Sequence, residues 1–216
     1  KETIALLNKF NLKNLHSSII IHGPKGIGKN LFVNNFINEI FKKQFKDNTY
    51  YHHYNLFKNN THPNIKLLEK LYDVKTKKYK SNIGIEQIRD LKKFINDSPS
   101  IQNFSKFIII DCADDLNINA SNSFLKNLEE PNKDTFIFLI CHRLSSIIPT
   151  IRSRCLKIKL NQHSFENFKI ILLNRFEKIE IDEIKFLYDL TYGSPGTAIF
   201  LYEEEVIEIL DLTLNS

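Results

Sequence analysis

Residues 23–30 read Gly23-Pro24-Lys25-Gly26-Ile27-Gly28-Lys29-Asn30, which has the spacing of a phosphate-binding loop. The apolar run Ser18 to His22 leads directly into this loop, and apolar residues at helical spacing follow it. In a strand, loop and helix of this kind, backbone amides and the lysine bind phosphate oxygens at the start of the helix. The sequence therefore predicts a nucleotide-binding loop formed by Gly23, Gly26, Gly28, Lys29 and Asn30. The alternative is a glycine-rich turn that binds nothing.

The last residue of the loop departs from the pattern. Asn30 stands where the pattern has a Ser or Thr hydroxyl that binds magnesium. A neutral amide is a poorer magnesium ligand than a hydroxyl. We therefore expect metal-assisted hydrolysis to be weakened more than nucleotide binding.

A second nucleotide element is expected at the end of a buried strand. Residues 107–110 are continuously apolar, as in a parallel strand covered on both faces, and Asp111 follows them. Asp111 is therefore the candidate acidic residue of the nucleotide site. Directly after it comes Cys112, whose thiol cannot replace a carboxylate as the base that activates water. Asp114 and Asp115 are interpreted as acids that cap the following helix.

Strands and helices alternate along the rest of the chain. Further buried strands are predicted at Thr135 to Cys141 and at Cys155 to Leu160. This alternation predicts an α/β fold with a doubly wound parallel sheet. After about Gln162 the strand pattern ends, so a small helical unit is expected after the sheet domain. Residues 42–63 show no clear period and are interpreted as a connection or an insert.

Length and composition limit the kind of protein. The 216 residues, 42% hydrophobic and 25% charged, suffice for one α/β core and a small second unit. The net charge of +5 is compatible with nucleic-acid contact, but equally with an ordinary surface. No run approaches the roughly 20 apolar residues of a membrane span, and the three cysteines form no metal or redox motif. We expect a cytoplasmic protein without a metal site or membrane contact.

Three further segments carry a family resemblance. They are Asp111-Cys112-Ala113-Asp114, Asn119-Ala120-Ser121-Asn122-Ser123-Phe124-Leu125-Lys126-Asn127-Leu128-Glu129-Glu130-Pro131 and Pro149-Thr150-Ile151-Arg152-Ser153-Arg154-Cys155. Together they resemble the clamp-loader branch of the AAA+ ATPases, and within it the delta-prime subunits of bacterial DNA polymerase III. The later stretch Gly193 to Ala198 resembles the turn in the helical lid of this family.

The resemblance implies a domain organisation. Residues 1–161 would form the AAA+ nucleotide-binding-type α/β domain, residues 162–202 the helical lid domain, and residues 203–216 the start of a truncated helical collar domain. The chain contains no Met, even at position 1, which also indicates a fragment or a processed form. Without a complete collar, we expect the chain alone to be monomeric or weakly associating.

The resemblance also implies a role for Arg154. In this family the arginine of the Ser-Arg-Cys segment is an arginine finger, which reaches across a subunit interface to ATP on a neighbour. A planar guanidinium suits this task because it stays charged and can bind two phosphate oxygens at once. The alternative is an arginine that pairs with a local carboxylate. Arg152 would point the other way if this segment is extended.

Three positions argue against hydrolysis by this chain itself. Besides Asn30 and Cys112, Thr197 stands where hydrolysing relatives have an arginine that senses the γ-phosphate. The resemblance therefore implies a non-hydrolysing clamp-loader subunit of DNA polymerase III, part of the polymerase holoenzyme, that completes a neighbour's ATP site. The alternatives are an ATP-hydrolysing subunit of the gamma or tau type and an AAA-like interaction module with another partner.

Cofactors and partners follow from the same resemblance. No cofactor is required, with ATP or ADP bound without hydrolysis as the open alternative, and zinc at His52, His53 and His62 is not expected. The expected partners are the other loader subunits of gamma, tau and delta type and, through the assembly, the sliding clamp and primer-template DNA. Some lysines could face DNA, but a solvated surface is expected because no aromatic residues interleave with them. They are Lys77, Lys78, Lys80, Lys92, Lys93 and Lys106.

Overall fold

The computed structural model describes residues 15–204. Its strands are β1 Ser18–His22, β2 Ile65–Leu68, β3 Tyr72–Asp73, β4 Lys78–Tyr79, β5 Lys106–Ile110, β6 Thr135–Cys141 and β7 Leu156–Lys159. Five of them form one sheet in the order β2-β5-β6-β1-β7, while β3 and β4 form a separate antiparallel hairpin. The pairings of β1 with β6, β5 with β6 and β2 with β5 are parallel. The predicted α/β fold with a parallel sheet is confirmed.

Helices connect and follow these strands. They are α1 Lys29–Gln44, α2 Asp47–Lys58, α3 Ile85–Asn96, α4 Ile118–Glu129, α5 Pro149–Arg152, α6 Phe165–Arg175, α7 Ile181–Leu190 and α8 Pro195–Glu203. Helix α4 begins where the Asn117 side chain accepts a hydrogen bond from the Ala120 amide, which satisfies one of the unpaired donors of its first turn. It ends two residues before Pro131, which lacks the amide hydrogen needed to continue it.

The central strands β5 and β6 are buried along their whole length. This is the pattern of parallel strands that are covered on both faces of the sheet. Phe107 pairs in register with Phe136, so the two strands end side by side. Consequently Asp111, directly after β5, and His142, directly after β6, come to the same edge of the sheet.

Residues 42–63 contain a helix instead of the expected connection or insert. Only His53 and Phe57 of α2 are buried, which is too few to produce a recognisable helical period. The His53 and Phe57 rings lie 6.3 and 5.7 Å from the Phe41 ring, centroid to centroid. Aromatic contacts with α1 therefore stabilise this helix, and local periodicity does not reveal it.

His53 and His62 form a buried pair beside Phe41. The Asn64 amide donates to Nδ1 of His62 over 3.2 Å, so the proton of a neutral His62 ring is on Nε2. That Nε2 lies 3.2 Å from Nδ1 of His53 and donates to it. Burial, and then the charges of the neighbouring histidines, lowers the pKa of His62 from 6.5 to about 4. The two rings bind each other and the backbone, which is the arrangement of a packed core.

We expect His62 to reduce the free energy of unfolding by about 2 kcal/mol when the pH falls from about 7.5 to about 5. The unfolded histidine takes up a proton near its ordinary pKa of 6.5, whereas the folded one resists protonation down to about pH 4. The contribution is therefore complete above pH 6.5 and is lost progressively towards pH 4. Urea denaturation at the two pH values measures it.

A matched pair of variants isolates this effect from that of the carboxylates. His62→Gln should flatten the pH dependence by about the same 2 kcal/mol, whereas His52→Gln, at an exposed neighbouring position, should keep the pH dependence of the original chain. An unchanged pH dependence in His62→Gln would show that the histidine pair does not titrate in this way.

The chain forms two compact units. Among the described residues, the first contains the sheet and consists of residues 15–22 and Asn30–Ile158. The second consists of Gly23–Lys29 and residues 159–204, and its core is built by α6, α7 and α8. The predicted domain boundary at residue 161 stays a prediction, and the predicted collar start lies almost wholly outside the described residues. Within residues 15–204, no helix combines the length and apolarity that crossing a membrane requires.

Candidate functional site

The glycine loop packs against the turn that precedes helix α8. Gly26 has φ +78°, and a Cβ atom added to it would lie 2.5 Å from Oγ of Ser194 and 2.6 Å from the amide nitrogen of Thr197. Only glycine adopts this backbone conformation without strain and also leaves room for so close a contact. The predicted loop residue Gly26 is therefore required here by contact with the chain itself.

Four hydrogen bonds join the loop to residues of the second unit, and we call them the lid latch. The Gly196 amide donates to the Gly26 carbonyl over 2.8 Å, and the His163 ring nitrogen Nε2 donates to the Ile27 carbonyl over 3.2 Å. The hydroxyls of Ser194 and Thr197 donate to the Lys25 carbonyl over 2.5 and 3.4 Å. The carbonyl groups of three successive loop residues are thus bound by His163, Ser194, Gly196 and Thr197.

Lys29, the predicted phosphate ligand, is turned towards the loop itself. Its ammonium donates to the carbonyls of Gly23 and Pro24 over 2.9 and 2.6 Å, and the residue is only 5% exposed. A phosphate would have to compete with these two charge-assisted hydrogen bonds. In this structure Lys29 therefore stabilises the loop.

Asn30 and Asp111, predicted separately from two distant motifs, lie together. The Asn30 amide nitrogen Nδ2 donates to Oδ2 of Asp111 over 3.2 Å. The other carboxylate oxygen of Asp111 accepts a hydrogen bond from the Cys112 amide over 2.9 Å. In a hydrolysing site, residues at these two positions bind magnesium jointly. Here an amide donor occupies one oxygen of the carboxylate, so the pair is a poorer magnesium site than a hydroxyl and a free carboxylate.

Cys112 directly follows Asp111 and is unsuited to act as a base. Its backbone is left-handed, with φ +56°, and its thiol is half-buried. Burial, and then the carboxylates of Asp111, Asp115 and Asp114, raises the pKa of the thiol to about 11. The thiol is therefore neutral at physiological pH and takes no proton from water.

Asp114 and Asp115 do not cap helix α4, contrary to the sequence-based interpretation. Asp114 accepts hydrogen bonds from the His142 amide over 3.2 Å and from the His142 ring over 3.4 Å. Burial alone would raise the pKa of Asp114, but the His142 hydrogen bonds hold it below its ordinary value. Asp115 instead pairs with Lys70, with 2.8 Å between the charged atoms. Asn117, not either aspartate, caps the helix.

Arg154 lies on the surface, directly beyond the short helix α5. Its Nη2 forms a 2.6 Å ion pair with Oε1 of Glu129, and its Nη1 donates to the Thr150 carbonyl over 2.8 Å. Both side chains of the ion pair are substantially exposed, at 35% and 45%. An exposed pair of this kind contributes only about 0–1 kcal/mol. The guanidinium can therefore exchange Glu129 for a stronger anionic ligand at little cost.

The segment before Arg154 is helical, so the orientation expected for Arg152 in an extended segment does not apply. Residues Pro149–Arg152 form α5, with Pro149 at its first position. Arg152 is half-buried, and its Nε is buried without a hydrogen-bond partner among the described residues. Arg154, with its exposed guanidinium, is thus the better candidate to reach another molecule.

The family is shown by comparison with known proteins. Residues 1–164 match the model of the family described as DNA polymerase III, delta subunit. This chain belongs to that family. The match covers the whole sheet with its motifs, including the loop, Asp111 and Arg154.

Curated relatives place this family member among the delta-prime subunits. The DNA polymerase III subunit delta' of Pseudomonas aeruginosa is 31% identical over 148 residues, covering 68% of this chain and 43% of the relative. The subunit delta' of Escherichia coli is 27% identical over 143 residues, covering 66% of this chain and 40% of the relative. The chain thus spans less than half the length of these relatives.

A solved structure supports the same fold. The DNA polymerase III gamma subunit-related protein of Thermotoga maritima superimposes with a TM-score of 0.52 at 21% identity. The alignment covers 88% of this delta-prime family member and 58% of the Thermotoga chain. At this identity the likeness concerns the fold alone, and it agrees with the predicted AAA+ architecture.

The lid latch and the Asp114–His142 pair could not be predicted from the sequence. The stretch Gly193 to Ala198 was matched to the family's lid turn, but no local pattern shows that its amide and hydroxyl groups bind loop carbonyls. Asp114 and His142 are 28 residues apart, and only the strand register brings them together. The order Ser194-Pro195-Gly196 gave a partial signal for the latch. Proline favours the start of a helix there, and glycine leaves room for the glycine loop to approach.

Proposed function

We propose that this chain is a non-hydrolysing clamp-loader subunit of DNA polymerase III that offers Arg154 to ATP held by a neighbouring subunit. The observation that carries the proposal is the hydrogen bond from Asn30 Nδ2 to Asp111 Oδ2. A loop hydroxyl and an acidic residue hold magnesium together in hydrolysing P-loop sites. Because an amide that donates to the Asp111 carboxylate replaces the hydroxyl, the chain's own site has a poorer pair of magnesium ligands.

Two further features support the absence of hydrolysis. The neutral Cys112 thiol cannot activate water, since its pKa is about 11. Thr197 donates its hydroxyl to the Lys25 carbonyl, so the position of the γ-phosphate sensor serves the lid latch. No cofactor is therefore required, while ATP or ADP bound without hydrolysis is compatible with the glycine loop.

Arg154 has the chemistry that a neighbouring site would use. A guanidinium finger stabilises the charge that develops on the phosphate oxygens during transfer of the γ-phosphoryl group. Arg154 follows α5, and the hydrogen bond from its Nη1 to the Thr150 carbonyl positions the guanidinium. The weak ion pair with Glu129 keeps the guanidinium in a defined place until a phosphate replaces the carboxylate.

The proposed partners follow from the family. They are loader subunits of the gamma, tau and delta types in the cytoplasm and, through the assembled loader, the sliding clamp and primer-template DNA. A gamma- or tau-type subunit would need magnesium and a base in its own site. The Asn30–Asp111 contact and the Cys112 thiol favour the delta-prime role over that alternative.

Measuring ATP hydrolysis with the neighbours silenced tests the proposal. In a reconstituted full-length complex, the P-loop lysines of all partner ATPase subunits are replaced by alanine. We expect magnesium-dependent hydrolysis to fall by at least about two orders of magnitude, to the level of a sample without the complex. Restoring the lysine of one partner is the control and should bring turnover back. A magnesium-dependent rate that persists without any partner lysine would assign hydrolysis to this chain.

A further inference from the structure

The β3–β4 hairpin exposes apolar side chains that packing does not explain. Leu71, Tyr72, Val74 and Tyr79 are 47%, 52%, 78% and 67% exposed. Single exposed apolar residues are ordinary, but several on one small element indicate a contact surface. The sheet order shows that this hairpin is separate from the main sheet, so the exposed residues serve no sheet core.

The two tyrosines form one aromatic face. Tyr72 pairs directly opposite Tyr79, and the ring centroids are 5.2 Å apart at 70° to each other. Asp73 pairs with Lys78 at the next position, so these two side chains point to the other face. One side of the hairpin thus presents aromatic rings, while charged groups lie on the other side.

The hairpin is held in shape by its turn and its base. Oδ1 of Asp73 accepts hydrogen bonds from the amides of Lys75 and Thr76 over 2.8 and 3.4 Å. The chain that leaves β4 is held at Ile83, whose amide donates to the Asp115 carbonyl over 2.9 Å. These contacts order the tyrosine pair before any ligand binds, which lowers the entropic cost of binding.

The hairpin is also strongly basic. Residues 71–80 contain four lysines and a single carboxylate, Asp73, which is engaged in the turn. These ten residues therefore carry a large share of the net charge of +5 of the entire chain. Among the described residues, no salt bridge engages any of these lysines, and all of them are exposed. They are Lys75, Lys77, Lys78 and Lys80.

The contact between Tyr72 and Tyr79 revises the expectation that the lysines form only a solvated surface. That expectation depended on the absence of interleaved aromatic residues, and Tyr72 and Tyr79 supply them. It also grouped Lys106 with the hairpin lysines, although Lys106 is buried and its ammonium binds the Phe94 and Asp97 carbonyls. Lysines and exposed aromatic rings thus occur together on the hairpin, which is the candidate surface.

We propose that the β3–β4 hairpin is a direct binding site for single-stranded nucleic acid. Unpaired bases stack on Tyr72 and Tyr79. The long side chains of the four exposed hairpin lysines, including Lys78 on the opposite face, attract the phosphates that pass the edges of the narrow hairpin. A duplex hides its base faces and would leave the rings without a role, whereas an acidic peptide would use the lysines alone. This inference goes beyond the proposed function, which rests on Arg154 and brings DNA to the chain only through the assembly.

Fluorescence anisotropy with the chain alone tests the hairpin, so the result is independent of Arg154 and of any partner. The probe is a fluorescein-labelled oligothymidine of about 20 nucleotides, titrated between about 50 and 200 mM salt. Tyr72→Ala/Tyr79→Ala should weaken binding at least about tenfold without changing the salt slope. Tyr72→Phe/Tyr79→Phe keeps both rings and should bind like the original chain.

The charge contribution has its own matched variants. Replacing the four hairpin lysines by glutamine should reduce the salt slope by about 2 to 3. The control removes four exposed lysines elsewhere and should change affinity by no more than about twofold. It consists of Lys43→Gln, Lys46→Gln, Lys126→Gln and Lys133→Gln. An equal loss in this control, unaltered binding in the alanine pair, equally tight duplex binding, or equal competition by polyglutamate would each overturn the proposal.

Discussion

Arg154→Ala should lower clamp-stimulated ATP turnover at the neighbouring site by about one to three orders of magnitude in the reconstituted full-length complex. The reason is that the transition state of phosphoryl transfer carries negative charge that an arginine finger stabilises in a site excluded from water. The exposed ion pair with Glu129 adds little to folding, so the variant should fold and assemble normally. Steady-state hydrolysis with clamp and primed DNA measures the loss, and size-exclusion chromatography checks assembly.

Two further variants separate a finger from a merely structural arginine. Glu129→Gln removes the charged partner but leaves Arg154, and we expect turnover within about twofold of the original complex. Arg154→Lys keeps the charge but loses the planar pair of donors, so most of the loss should remain. If Glu129→Gln reduced turnover as much as Arg154→Ala, the ion pair itself would be what matters. Unchanged turnover in Arg154→Ala would remove Arg154 from the mechanism.

The sequence reveals those features whose determinants are continuous along the chain. Residues 107–110 are uniformly apolar because β5 is covered on both faces, and the acid after them identified Asp111. The loop glycines can be recognised in the sequence because their spacing is fixed. A left-handed backbone or a close contact requires glycine at these positions, as at Gly26. Fold and family were therefore predictable, and both are confirmed.

Features that depend on pairing between distant residues were not predictable. The Tyr72–Tyr79 face exists only because the hairpin register places the two rings opposite each other. Helix α2 is stabilised by aromatic contacts with α1, which its own sequence does not indicate. The Asn30–Asp111 hydrogen bond likewise joins positions 81 residues apart, so the sequence showed two departures without showing that they meet.

The second large effect is expected at the loop. Gly26→Ala should lower the free energy of unfolding of the second unit by about 3 kcal/mol. Alanine at φ +78° is strained by about 1–2 kcal/mol. The added methyl group would also lie within 2.6 Å of the Thr197 backbone and of two hydroxyl oxygens, which must move apart. The Thr197 backbone cannot move away without a cost in free energy, because the lid latch bonds the neighbouring Gly196 amide to the Gly26 carbonyl.

Gly84→Ala is the matched control for this variant. A Cβ added at Gly84 meets nothing within 4 Å, and its φ of −92° suits any residue. Gly84 is the N-cap of α3, where alanine is less favourable than glycine, so we expect a loss of about 1 kcal/mol in the first unit and no effect on α8. Native-state hydrogen exchange of α8 distinguishes the two outcomes, because opening of the latch exposes the amides of its first turn. Equal exchange in Gly26→Ala and Gly84→Ala would show that the loop accommodates the methyl group, and that the latch does not hold the second unit together.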